Sequence, residues 1–229
     1  MFRIQLTLSL TLLALSKPAA AEALSVVNVG APAINCVFDT SCSLPVTDSS
    51  TTIPLPGISG TARLQTRTFT GATGAPAQGH YGYEYVVDLT NATGITHLPR
   101  VQSLRVSFGP VASFQYNGTG PADQVYVVTS GGSGTIGLSS ANKVGNDITF
   151  TFATPVCGGA SPGTGNRSFF FGLASASAPT AVAAVAVSNG TSFSAGARAP
   201  IHDKCTSGIA LAPASDPCVS SVCAADAYC

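Results

Sequence analysis

Tryptophan is absent from the 229-residue chain, methionine occurs once, and only 9% of the residues are charged. Ten basic residues face ten acidic ones with no basic cluster. Such a chain cannot neutralise a phosphate backbone, which excludes nucleic acid as a partner. Long apolar runs are missing as well. The best internal stretch, Thr180 to Val187, is eight residues long and runs into polar Ser-Asn-Gly-Thr, whereas a bilayer span takes roughly 20 residues. Recognisable catalytic and cofactor motifs are lacking too. The three histidines, His80, His97 and His202, share no helical or strand spacing that would suit a metal. No GxSxG occurs. Gly131 to Thr135, "GGSGT", lacks its final glycine and also lacks the lysine and helix of a phosphate loop. No cofactor, metal site or catalytic residue is therefore assigned.

What is present begins with an export pattern. Arg3 precedes the apolar run Leu6 to Leu15, Lys17 and Pro18 break it, and Ala19 to Ala21 supply small residues for cleavage. Residues 1–21 are expected to be a signal peptide, leaving 208 residues outside the cytoplasm, in a periplasm or beyond the cell. That length suits one β domain with an appendage. The abundance of branched and small residues at low charge is not the composition of a disordered chain.

Short runs rich in branched and aromatic residues recur along the chain, bounded by Gly, Pro, Asn or Ser. Examples are "GTARLQTRTFTG", "GYEYVVDLTNATG", "VQSLRVSFGP", "DQVYVVTSGGSG", "NDITFTFATP" and "RSFFFGLASASAP". Roughly eight or nine such runs without intervening helices predict an antiparallel two-sheet β-sandwich over residues 22–193. Alternation places Tyr83, Tyr85, Val87 and Leu89 on one face and Glu84, Val86 and Asp88 on the other. Leu104, Val106 and Phe108 form another apolar row, as do Ile148, Phe150 and Phe152. The run Phe169-Phe170-Phe171 breaks alternation and implies a strand covered on both sides or one exposed ring. Residues 194–200 are expected to be a linker, and 201–229 a disulfide-held cysteine-rich tail.

The seven cysteines are Cys36, Cys42, Cys157, Cys205, Cys218, Cys223 and Cys229. Disulfides are the default for an exported chain. The expected pairing closes a small loop with Cys36–Cys42, ties Cys157 to Cys205 and places one bond inside the tail. Cys229 is left over, which invites a disulfide-linked dimer. A zinc site from His202, Cys205, Cys218, Cys223 and Cys229 is disfavoured, because their spacings do not match tight CxxC pairs. The segment "DPCVSSVCAADAYC" resembles a cysteine-rich module near the C-termini of some secreted bacterial proteins, of pattern "DPCV..VC..D.YC" continuing to "C...WD..C". Asp216, Pro217, Cys218, Val219, Val222, Cys223, Asp226, Tyr228 and Cys229 carry the match. The resemblance implies export, oxidation and a module cut short at Cys229, and it assigns no activity. The body of the chain resembles uncharacterised secreted bacterial β-proteins.

Glu84 and Asp88 are the nearest pair of carboxylates, but four strand residues span roughly 13 Å. Glycosidase pairs lie roughly 5–9.5 Å apart. A charge ladder explains them better: in a three-strand meander Arg67 falls beside Glu84, Arg63 beside Asp88, and Arg105 diagonal to both acids. Tyr81, Tyr116 and Tyr126 are candidates for stacking on a glycan. Asn91, Asn117, Asn166 and Asn189 lie in N-x-S/T sequons and predicted turns, as glycan acceptors or as ordinary turn residues. The resulting expectation is an exported, non-enzymatic binding module of adhesive, structural or envelope-associated type, with a glycan or protein surface as ligand. A carbohydrate-binding module is the alternative, and a secreted hydrolase the third reading.

Overall fold

The computed structural model describes residues 21–95 and 97–201. Within them lie β1 (Glu22–Ala23), β2 (Val26–Gly30), α1 (Ala31–Phe38), β3 (Thr47–Ile53), β4 (Ile58–Thr70), β5 (Tyr81–Gly94) and β6 (Arg100–Ser107). They are followed by β7 (Val125–Ser130), β8 (Leu138–Val144), β9 (Asp147–Cys157), β10 (Phe170–Ser175), β11 (Pro179–Ser188) and β12 (Thr191–Pro200). The first sheet runs β1-β8-β9-β6-β11-β12 and the second β2-β7-β10-β5-β4-β3. The protein is a two-sheet β-sandwich. Every neighbouring pair is antiparallel except β2 and β7, which run parallel. Polar β3 and β8 and the two-residue β1 are strands that the apolar pattern does not announce.

Alternation builds the core as the spacing predicts. Tyr83, Tyr85, Val87 and Leu89 from β5 meet Leu104, Val106, Ile148 and Phe150 from the first sheet, all fully buried. Phe150 and Phe171 lie with ring centroids 4.9 Å apart, and the Tyr83 ring meets Phe108 edge-on at 5.1 Å. The buried phenols keep acceptors: Tyr83 donates to the Ser177 carbonyl at 2.6 Å and Tyr85 to that of Arg198 at 2.8 Å. The three-phenylalanine run is covered on both sides. Phe171 enters the inter-sheet core and Phe170 a second apolar cluster on the outer face of the second sheet, while Phe169 packs half-buried at the edge of the main core.

Residues 194–200 are not a linker. They complete β12, which pairs with β11 from Ser188↔Thr191 to Pro179↔Pro200. Ala195, Ala197 and Ala199 face the core, and Thr51 donates to the Gly196 carbonyl at 2.6 Å, tying this edge to β3. Alternating alanines carry too little apolar surface to stand out against the surrounding Ser and Gly. The hairpin turns on Asn189 (φ 50°) and Gly190 (φ 79°), the left-handed pair that matches strand twist. Residues 1–20, including most of the expected signal peptide, and 202–229, the body of the expected tail, lie outside the described residues. No helix among the described residues is long and apolar enough to cross a membrane.

Helix α1 is the element that sequence patterning did not predict. Pro32 in its first turn suits the helix start, where its missing N–H costs nothing. Ile34, Val37 and Phe38 recur at helical spacing and are buried. They pack on Phe69, Val86, Val128 and Phe170 on the outer face of the second sheet. The Cys36–Cys42 disulfide closes the turn after the helix, as the short loop predicts.

Candidate functional site

The outer face of the second sheet carries one cross-strand row of interest. The registers align Asp48 on β3 with Arg67 on β4, Glu84 on β5, Gly172 on β10 and Tyr126 on β7. Gly172 is there because the Tyr126 ring lies across it. A Cβ at that position would stand 2.6 Å from the ring and 2.3 Å from the Tyr83 carbonyl. Gly82 is roofed in the same way by Phe69, whose ring a Cβ would meet at 2.0 Å. Strand glycines here make room for aromatic rings laid across the sheet.

The pairing of Arg67 with Glu84 and of Arg63 with Asp88 follows the expected register. The expected charge ladder does not. Arg67 Nε turns to Asp48 Oδ1 at 2.9 Å, with its guanidinium 4.1 Å from the centroid of the Phe170 ring. Gln65 donates to the same Asp48 oxygen at 2.9 Å. Arg167 donates to Gln65 Oε1 at 2.9 Å and approaches Asp88 at 3.7 Å. Arg105 belongs to β6 in the other sheet and cannot stand diagonal to either acid. The meander fails because the chain crosses to the opposite layer after β5. Glu84 is left with no ion pair among the described residues.

Glu84 is 7% exposed. Burial pushes its carboxyl up to about 7, opposed by the positive charge of Arg67 and by the Tyr126 phenol, and assisted by Asp48. The Tyr126 hydroxyl is close enough to favour the carboxylate but falls short of a well-formed hydrogen bond, and it has no other partner. Burial, reinforced by the charge of Glu84, holds the Tyr126 phenol well above its ordinary range. Above Glu84 opens a cleft of about 260 Å³. Its walls are Ile34 of α1, Leu44 and Val46 of the following segment, and Phe69, Val128 and Phe170 of the sheet. Asn35, Arg67 and Glu84 are the polar side chains of the lining, and the exposed backbone of Gly131 and Gly132 forms one rim. Apolar walls around a few converging polar groups are the usual make-up of a small-ligand site. The missed helix is why the sequence did not disclose the cleft. Pro32 followed by Ile34, Val37 and Phe38, together with Gly82 and Gly172 inside strands, was the available signal.

The other predicted site residues lie apart from this cleft. Tyr116 and Tyr126 are fully buried with rings 4.7 Å apart, so neither can stack on a sugar. They serve the second apolar cluster instead. Tyr81 is half-buried against the main core. Asn91, Asn117, Asn166 and Asn189 are all exposed, but Asn91 lies in β5 opposite Thr61 rather than in a turn. Its side chain stands on the solvent side of a long strand end. Cys157 is half-buried and has no disulfide partner among the described residues; Cys205, Cys218, Cys223, Cys229 and His202 lie outside them. His80 contacts the Gln78 carbonyl at 3.2 Å and meets the Phe114 ring edge-on at 5.1 Å. His97 lines a separate cavity of about 80 Å³ with Ser188 and Asn189. Among the described residues no cluster of His, Cys, Asp or Glu could hold a metal ion.

A family model described as a domain of unknown function (DUF8252) matches residues 199–229. The match starts on the last two residues of β12 and covers the segment read as the cysteine-rich tail. No curated protein and no solved structure matches the chain.

Proposed function

We propose that the chain is an exported, non-enzymatic β-sandwich binding module, adhesive, structural or envelope-associated, whose binding site is the cleft beneath α1. The N-terminal pattern of Arg3, an apolar run and Ala19 to Ala21 supports export. The Cys36–Cys42 disulfide supports an oxidising compartment. The observation that carries the binding reading is the buried carboxyl of Glu84 facing a cleft of about 260 Å³ with apolar walls. A group so placed orients and holds a ligand, and loops over a rigid sheet are the usual place for such contacts. The sugar-binding alternative loses its platform with the burial of Tyr116 and Tyr126.

A thermal-shift screen of the exported chain against small amines, carboxylates, sugars and amino acids tests the reading. A saturable stabiliser whose effect disappears in Glu84→Gln is the expected result. Stabilisers that act equally on both proteins, or none at all, would refute the cleft as the site.

A further inference from the structure

Resting on the cleft as a binding site, we propose that it takes a primary ammonium group carried on a short apolar stem, with Glu84 as counter-ion. Arg67 is bonded through Nε to Asp48 at 2.9 Å with its guanidinium over Phe170, and Arg167 is engaged by Gln65 and Asp88. The carboxyl of Glu84 lines the cleft with no cation bonded to it. The charged and titratable groups that face it are Arg67 from β4, Asp48 beyond it on β3, and the Tyr126 phenol from β7. Helix α1, β10 and the Gly131–Gly132 rim bring none. An anionic ligand would meet the buried acid, and the one guanidinium in the lining is already held through Nε by Asp48. A neutral one would leave the buried carboxyl uncompensated once ionised.

An ammonium ion supplies the missing charge, and its stem meets Ile34, Leu44, Phe69, Val128 and Phe170. The mouth is open past Val46, which is 42% exposed, and past exposed Gly131 and Gly132. The binding-competent form is the carboxylate. With the empty site titrating at about 7, apparent affinity is set by the ionised fraction. Binding at pH 6 must therefore expel a proton from Glu84, and binding at pH 8 need not.

The test is calorimetric titration of the exported full chain with n-butylammonium, with butyrate as the probe of opposite sign. We expect saturable binding about tenfold tighter at pH 8 than at pH 6. The heat at pH 6 should change with the ionisation enthalpy of the buffer, reporting the released proton. Glu84→Gln should weaken binding at pH 8 by at least about tenfold, an electrostatic loss of ordinary size for a buried charge pair. Val46→Trp, at an exposed mouth position that folding does not need, should weaken it independently. Nα-acetyl-lysine methylamide in place of butylammonium distinguishes a lysyl side chain from a free amine, the tighter binder naming the source. Butyrate binding that Glu84→Gln abolishes would overturn the ammonium assignment and leave the cleft reading intact. Butylammonium binding unaffected by both substitutions, or no saturable binding in the millimolar range, would overturn the proposal.

Discussion

Replacing Glu84 with glutamine removes one titration and leaves a side chain of nearly the same shape. A glutamate in the unfolded chain titrates near 4.5, whereas folding buries this one and raises it to about 7. Between those values the folded state holds the proton that the unfolded state has lost. Stability must therefore fall as pH rises through this window, and the loss is complete only above the folded value. The displacement corresponds to about 3 kcal/mol in all, most of which falls between pH 5 and pH 8. The variant should lack this slope, so its stability relative to the parent should improve by about 2–3 kcal/mol across the same interval. Urea unfolding at pH 5, 6, 7 and 8 measures it. Tyrosine emission can follow the transition, since the chain has no tryptophan. Every other titrating group is common to both proteins and cancels in the difference. A difference that stays constant with pH would show that Glu84 is not desolvated. A difference of opposite sign would show that Arg67 outweighs burial and holds Glu84 ionised.

Gly172→Ala should destabilise by about 1–3 kcal/mol in urea, because the new methyl meets the Tyr83 carbonyl at 2.3 Å and the Tyr126 ring at 2.6 Å. Shortening Tyr126 as well should restore only part of that loss, since the Tyr83 carbonyl is backbone and cannot withdraw. Serine at both Cys36 and Cys42 should cost about 2 kcal/mol, the closure entropy of so short a loop, and should remove the mass change that alkylation after reduction gives at this pair. Phe171→Ala should cost about 3–5 kcal/mol of unfolding free energy, because the ring is 1% exposed and touches Tyr85, Phe150 and Phe152. A loss below about 1 kcal/mol would mean that the inter-sheet core closes over the gap.

The second sheet differs from a simple sandwich layer in being buried twice. Its inner face fills the space between the sheets, and its outer face carries a smaller cluster under α1. Only at the margin of that cluster do charged side chains enter, and there the guanidiniums of Arg67 and Arg167 approach the Phe170 ring, at 4.1 Å and 5.4 Å from its centroid. Such contacts contribute roughly 0.5–2 kcal/mol according to exposure. They also hold both arginines over the sheet, and neither forms an ion pair with Glu84.

Local periodicity alone determined much of this protein. The inward rows of β5, β6 and β9 follow from side chains alternating along an extended backbone, and each row is buried as spacing requires. The Arg67–Glu84 and Arg63–Asp88 register follows from the turn joining β4 to β5, and the Cys36–Cys42 bond from closeness in the chain. Partner choice is another matter, because it depends on surfaces that meet only after folding. The sheet that β6 joins, the docking of α1 and the place of β12 at a sheet edge are decided by packing across the whole domain. Glu84 shows the difference most directly. Alternation put it on the face opposite the tyrosines, where a strand pattern reads as solvent, yet that face carries a second apolar cluster beneath α1 and Glu84 is buried at its margin.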